Sequence, residues 1–336
     1  MPFGFSAGVV LLFPFVALLQ NAACGASVLA KKILIYTHSK MKSGADAFPN
    51  RSGHIFWIEI LAWHILQQRH DGMFGIVPRR GATVSVRVAY MRDSTKTVPV
   101  LLLHGFLGDP SDWVAVRQAC KAILGVHAYD LRDSEHGIEA GLSRMVAYMD
   151  SVNRSAWDIV GYSMGGRVAW LLAYRYPQRV RRLCILCANP GISDPEARRM
   201  RAQQDRVWVT LLRTSGMASF LTRWYAQPLF DSFRQHPVFQ TVVQRRALEN
   251  AAVHAQILEC ASPAIQPDLW AWVLVSQIPT LYLSGEKDLR YTQIGEALSA
   301  NPYIRCEVLP DVGHVLHLEA PVAIAAAMDC FFTAAF

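Results

Sequence analysis

The chain has 336 residues, 52% of them apolar and 18% charged, with a formal net charge of +7. That composition excludes a disordered or fibrous protein and supports a sizeable core in one or two domains. The arginines are scattered, which argues against nucleic acid as a partner and leaves a targeting segment or a multiply anionic small molecule to account for the basic excess.

Seven cysteines, an odd number without paired spacing, read as reduced thiols. Cys184 and Cys187 form a C-x-x-C, but inside an apolar run that reads as a buried strand, so core packing is preferred over zinc or redox chemistry. Residues 1–30 are apolar, but the hydrophobic run 9–19 is short and interrupted by Pro14, so no stable membrane span is expected. Small residues and then Lys31, Lys32, Lys40 and Lys42 follow, in the order of a targeting segment over 1–45. If that segment is cleaved, a plastid or similar organelle is the expected destination; otherwise the chain is cytoplasmic. Residues 46–80, with Trp57, Trp63, His64 and His70, match no motif and form an extension of unknown role.

Alternation over 83–90 reads as an edge strand that opens the main domain, 81–336. Apolar runs at 98–103, 126–129, 157–160, 183–187, 280–283 and 305–309 read as strands. Between them lie a helix capped by Ser111 or Asp112 and running to Ala119, helices over about 141–152 and 167–176, and a terminal helix within 321–332. A long helical insertion over about 195–277 reads as a cap. Alternating strands and helices predict an α/β fold, a mostly parallel sheet covered on both faces.

Chemistry centres on Gly161-Tyr162-Ser163-Met164-Gly165, a strand-to-helix turn that would expose the serine hydroxyl at the carboxyl edge of the sheet. A base and an orienting acid would follow in the order acid, then histidine. Asp288 and His314 sit just past the next two strands and fill those roles, ahead of Glu286, Asp311 and His317. The amides of Met164 and Phe106 would stabilise a developing oxyanion, with His104 a structural loop residue. These stretches together predict an α/β-hydrolase fold, which by itself does not specify hydrolysis.

Leu103-His104-Gly105-Phe106-Leu107-Gly108, Gly161 to Arg167, Asn189-Pro190-Gly191, the Arg198, Arg201, Asp205-Arg206 and Trp208 series, Trp224 to Phe230 and Gln266-Pro267-Asp268-Leu269 resemble one family closely. It is the 2-succinyl-6-hydroxy-2,4-cyclohexadiene-1-carboxylate synthase family, α/β-hydrolase-fold lyases of menaquinone and phylloquinone synthesis. The resemblance covers about 99–321. It implies Ser163, His314 and Asp288 acting as a base that removes a ring proton before pyruvate leaves, without cofactor or metal. It also implies an anionic substrate with several carboxylates held by Arg167, Arg201 and Arg246, beside Tyr162 and Trp224. Arginine suits that task because its fixed fork matches a carboxylate. Arg245, adjacent to Arg246, leaves the assignment within the cap open by one residue, and the charged loop 131–137 departs from the family's Gly-His-Gly pattern. The rival readings are a serine carboxylesterase, lipase or C–C hydrolase with the same triad, and a non-catalytic binding protein of this fold.

Overall fold

The computed structural model describes residues 98–123, 125–132 and 137–334. The leader, the 46–80 extension, the 83–90 strand and most of the 131–137 loop lie outside the described residues.

Six strands, β1 (Val100–Leu103), β2 (Val126–Tyr129), β3 (Trp157–Tyr162), β4 (Val180–Leu186), β5 (Thr280–Gly285) and β6 (Ile304–Leu309), form one parallel sheet in the order β2-β1-β3-β4-β5-β6. The inner strands read as continuous apolar runs because both of their faces are covered. On β1, Val100 and Leu102 belong to one core and Leu101 and Leu103 to the other. Cys184 and Leu186 against Leu183 and Ile185 repeat that split on β4, the two-residue period of a pleated strand.

Around the sheet are α1 (Val114–Ala119), α2 (Ile138–Ser151), α3 (Met164–Arg175), α9 (Leu289–Leu298), α10 (Leu316–Glu319) and α11 (Pro321–Thr333). Between β4 and β5 the chain forms α4 (Pro195–Tyr225), α5 (Asp231–Gln235), α6 (Phe239–Arg246), α7 (Ala251–Cys260) and α8 (Trp270–Val273). Asp194 starts α4 by accepting from the amides of Glu196 and Ala197 at 3.2 and 3.1 Å, with Pro195 in the first turn. Gly216, at φ 70° and ψ −178°, breaks the α4 helix partway along. Phe220 and Tyr225 of α4 and Phe233 of α5 join the same core as Val100 and Leu102, so these helices continue the sheet's packing.

Two local expectations change. The first helix is preceded by a 3-10 turn, Pro110–Trp113, whose cap is Asp109, accepting from the Ser111 amide at 2.6 Å. Asp112 is buried instead, and binds arginines. β4 begins at Val180 and ends at Leu186, leaving Cys187 beyond the strand at φ 45°. A left-handed residue turns the chain out of the ladder, which is why the apolar pattern ran one residue too far.

Candidate active site

β3 delivers Ser163 to the carboxyl edge of the sheet. The serine sits at φ 51° and ψ −109°, its amide donates to Leu186 O at 2.9 Å, and α3 begins at the next residue. Such a backbone is uncommon for a residue with a side chain and is held only because its surroundings fix it. The glycines provide the close approach. A methyl on Gly165 would collide with the Leu103 carbonyl, and one on Gly161 would lie 2.6 Å from Gly166 Cα. Met164 is the first residue of α3, so its amide has no acceptor within the helix.

His314 Nδ1 lies 2.6 Å from Asp288 Oδ2, and both side chains are buried. Asp288 ends the turn after β5 and caps α9; His314 lies in the loop after β6. Glu319 fixes that loop on both sides of the histidine. Its Oε2 accepts from Gly313 N at 3.0 Å and Ser232 Oγ at 2.6 Å, and its Oε1 accepts from Val315 N at 2.9 Å. Tyr162 and Tyr291 rings stand 5.4 and 4.8 Å from the His314 ring. The competing groups are placed elsewhere. Glu286 and Asp311 are exposed, and His317 is buried between Trp113 and Tyr162 at ring distances of 4.8 and 4.3 Å. His104 has a structural place: Nδ1 faces Gly105 O at 2.8 Å and Nε2 accepts from Leu131 N at 2.9 Å.

Ser163, His314, Phe106 and Met164 line one cavity of about 270 Å³, with Asp288 behind His314. Tyr162, Trp224, Arg167, Arg201 and Arg246 line the same cavity. Trp224 is fixed among Phe106, Trp208 and Phe220, at ring distances of 5.2, 5.3 and 5.4 Å. Arg167 donates to Gln266 Oε1 and to Ala261 O, both at 2.8 Å, so its partners are neutral. Burial, and then the neighbouring Arg201 charge, push its pKa down to about 10, which leaves it charged at neutral pH. Arg201 Nε binds Asp205 at 2.8 Å, and Asp205 also accepts from Ser262 Oγ at 2.5 Å.

Adjacent residues at the end of α6 separate cleanly. Arg246 faces the cavity and donates to Asp112 Oδ2 at 2.8 Å and to the Tyr225 hydroxyl, while its buried Nε has no hydrogen-bond partner among the described residues. Arg245 donates to Ser111 Oγ at 2.6 Å and to the other oxygen of Asp112. Burial works against the Arg246 charge, but Tyr225 and Asp112 outweigh it and raise its pKa. Burial likewise opposes ionisation of Asp112, yet Arg246 and the groups around it hold its carboxyl well below the usual range.

The sequence reading missed three groups. Gln266 clamps Arg167 and donates to Pro190 O at 3.1 Å; Asp112 anchors Arg246; Arg290 lines the cavity two residues after Asp288. Two signals were visible: Gln266 stands in the family-like Gln266-Pro267-Asp268-Leu269 block, and Arg290 lies close after the acid. A possible metal-holding group among the described residues is Cys187, Asp288 and His314, with donor atoms within 4.8 Å of one another. Burial, then the Asp288 charge, raise the Cys187 thiol well above its ordinary pKa, and a protonated thiol is a poor ligand.

Residues 100–327 match the alpha/beta hydrolase family. The chain is 31% identical over 235 residues to the 2-succinyl-6-hydroxy-2,4-cyclohexadiene-1-carboxylate synthase of Escherichia coli, covering 68% of this chain and 91% of that protein. It is 27% identical over 274 residues to Protein PHYLLO, chloroplastic, of Arabidopsis thaliana, a match that covers 74% of this chain but only 16% of that protein. The solved structure of MenH from S. aureus superposes with a TM-score of 0.66 at 25% identity, covering 70% of this chain and 94% of that one. The parallel sheet, the turn at Ser163 and these matches agree: the chain is an enzyme of the α/β hydrolase family and belongs within it to the family of the 2-succinyl-6-hydroxy-2,4-cyclohexadiene-1-carboxylate synthases.

Proposed function

We propose that the enzyme is a carbon–oxygen lyase of menaquinone or phylloquinone synthesis that eliminates pyruvate from 2-succinyl-5-enolpyruvyl-6-hydroxy-3-cyclohexene-1-carboxylate. The observation that carries this reading is the charge of the cavity: among the described residues, the four arginines Arg167, Arg201, Arg246 and Arg290 line it, and no aspartate or glutamate does. A neutral ester needs no such wall, whereas a substrate with several carboxylates does.

In this reading Ser163, with its proton accepted by His314 and the imidazole oriented by Asp288, is the base that removes a ring proton. The electrons of the broken C–H bond move toward the adjacent carbonyl oxygen, where the amides of Phe106 and Met164 offset the charge. The pair returns to the ring as a new double bond, the existing ring double bond shifts, and the C–O bond breaks with its electrons on the enolpyruvyl oxygen; that oxygen takes the proton held by His314, and the enol tautomerises to pyruvate. Arg167, Arg201 and Arg246 bind the carboxylates, with Tyr162 and Trp224 beside the ring. The scheme requires neither cofactor nor metal.

The decisive assay presents the authentic intermediate to purified protein and follows pyruvate, with a nitrophenyl ester in parallel. Pyruvate release with little ester turnover is expected; rapid ester turnover without pyruvate would establish the carboxylesterase or C–C hydrolase alternative.

We also propose that residues 1–45 are a targeting leader, 46–80 an extension and 81–336 the enzymatic domain with its cap at about 195–277. The plant relative carries the word chloroplastic in its name, which supports a plastid destination. Mass spectrometry of the native N-terminus tests it: an intact Met1 would defeat the leader. No helix among the described residues is long and apolar enough to cross a membrane.

A further inference from the structure

The four cavity arginines differ in how far their charges are already neutralised. Arg201 is paired with Asp205 and Arg246 with Asp112. Arg167 has only neutral acceptors, Gln266 and the Ala261 carbonyl. Arg290 is exposed and has no carboxylate or hydrogen-bond partner among the described residues. Its guanidinium carbon lies 5.8 Å from the ring centre of Tyr291, and that ring lies 4.8 Å from the ring of His314. An uncompensated cation therefore stands on the cavity wall one aromatic ring away from His314, the proton acceptor of the proposed base.

We propose that Arg290 is a specificity residue, which binds a substrate carboxylate and selects polyanionic substrates over monoanionic ones. A cation already in an ion pair must share its partner with an incoming anion, while an unpaired one offers its full charge and fork. Placed at the exposed end of the lining, Arg290 meets the anion before it is fully desolvated and raises its capture rate. Arg167 and Arg290 arise from α3 and α9, so the two unpaired charges approach the ligand from separate elements. This inference rests on the lyase reading for the identity of the substrate, but not for the existence of the anion site.

The test compares Arg290→Gln, Arg290→Lys and Lys287→Gln. Lys287 lies three residues earlier, is exposed, and pairs with Asp311 at 3.7 Å outside the cavity, so its variant removes one positive charge without touching the wall. Steady-state pyruvate release is measured over a range of salt. Arg290→Gln should raise KM roughly tenfold, the loss falling in KM rather than kcat, and flatten the salt dependence of kcat/KM. Arg290→Lys should recover part of it, and Lys287→Gln should behave as wild type. Equal effects of the Arg290 and Lys287 changes, or none from Arg290→Gln, would overturn the assignment. Calorimetric titration with citrate, a tricarboxylate, and with acetate gives a readout independent of turnover. If wild type releases no pyruvate yet binds citrate, and only Arg290→Gln weakens that binding, the lyase reading fails and the anion site stands. If pyruvate is released and citrate binding is indifferent to Arg290, the reverse holds.

Discussion

Arg246 of the cap and Asp112 of the loop after β1 form an ion pair 2.8 Å long, with 6% and 1% of their side chains exposed. A buried pair of this kind joins two separate segments and is costly to break from one side. Arg246→Met should destabilise the protein by about 3 kcal/mol, since the Asp112 carboxylate is left in an apolar setting. Arg245 retains the other Asp112 oxygen and limits the loss. Asp112 has a folded pKa well below its unfolded value of 3.8, so its contribution is complete above 3.8 and is lost progressively as pH falls from there toward the folded value. Urea unfolding at pH 7 and pH 3 should show the difference between wild type and variant shrinking in acid.

Ser163→Ala should cut pyruvate release by roughly 10³-fold or more while leaving circular dichroism unchanged, because it removes the proposed base and alters no packing. Asp288→Asn should lose a similar order, through the wrong imidazole tautomer at His314. A Ser163→Ala enzyme of full activity would defeat the mechanism.

Arg167 is held by a planar fork across two acceptors, Gln266 and Ala261, which a lysine cannot span. Arg167→Lys should raise KM by about 10- to 100-fold, the range of losing one charge-assisted hydrogen bond. Gln266→Leu, with the arginine intact, should give a smaller loss in the same direction. Initial-rate kinetics on both variants checks the order.

His254 is 1% exposed, and neither ring nitrogen has a hydrogen-bond partner among the described residues. Burial first, then the charges of Arg132 and Arg246, push its pKa down to about 4. The Asp130 charge opposes that shift without reversing it, and Glu249 lies 3.9 Å from Nε2. Between that value and the unfolded 6.5, the unfolded chain binds the proton that the folded one refuses. Stability from this residue is therefore complete above pH 6.5 and is lost as pH falls toward 4, by about 3 kcal/mol at most. Urea midpoints at pH 7 and pH 5 should converge in His254→Phe relative to wild type.

Gly165→Ala should cost roughly 3 kcal/mol, because its methyl meets the Leu103 carbonyl and must push α3 away from β1. Thermal unfolding should show the lower midpoint, and activity should fall with it since Ser163 begins the same turn.

The elements that alternate strongly or run fully apolar were legible in the sequence, because burial on both faces leaves no other composition for β1, β3 and β5. Ser163, Asp288 and His314 were legible because each follows a strand end, where the topology itself places it. Element ends were read less well. Cys187 continues an apolar pattern after its backbone has turned, and α3 starts three residues before the expected boundary because the glycines of the elbow already belong to the helix. Asp205 stands four residues from Arg201 in one helical series, but the partners of Arg246 and Arg167 were not legible. Asp112 lies 134 residues from Arg246 and Gln266 lies 99 from Arg167, separations at which no periodicity connects them.

Ser163, Cys187 and Asp288 follow β3, β4 and β5, three adjacent strands in the interior of the sheet, whereas Arg201, Trp224 and Arg246 come from the inserted helices. The triad and the part of the wall formed by Arg201, Trp224 and Arg246 thus belong to parts with different opening free energies. As denaturant rises, amide exchange should begin over the inserted helices while the strand ends remain protected. Binding through Arg201 and Arg246 should then fade first, while Arg167 and Arg290 stay in place beside the serine.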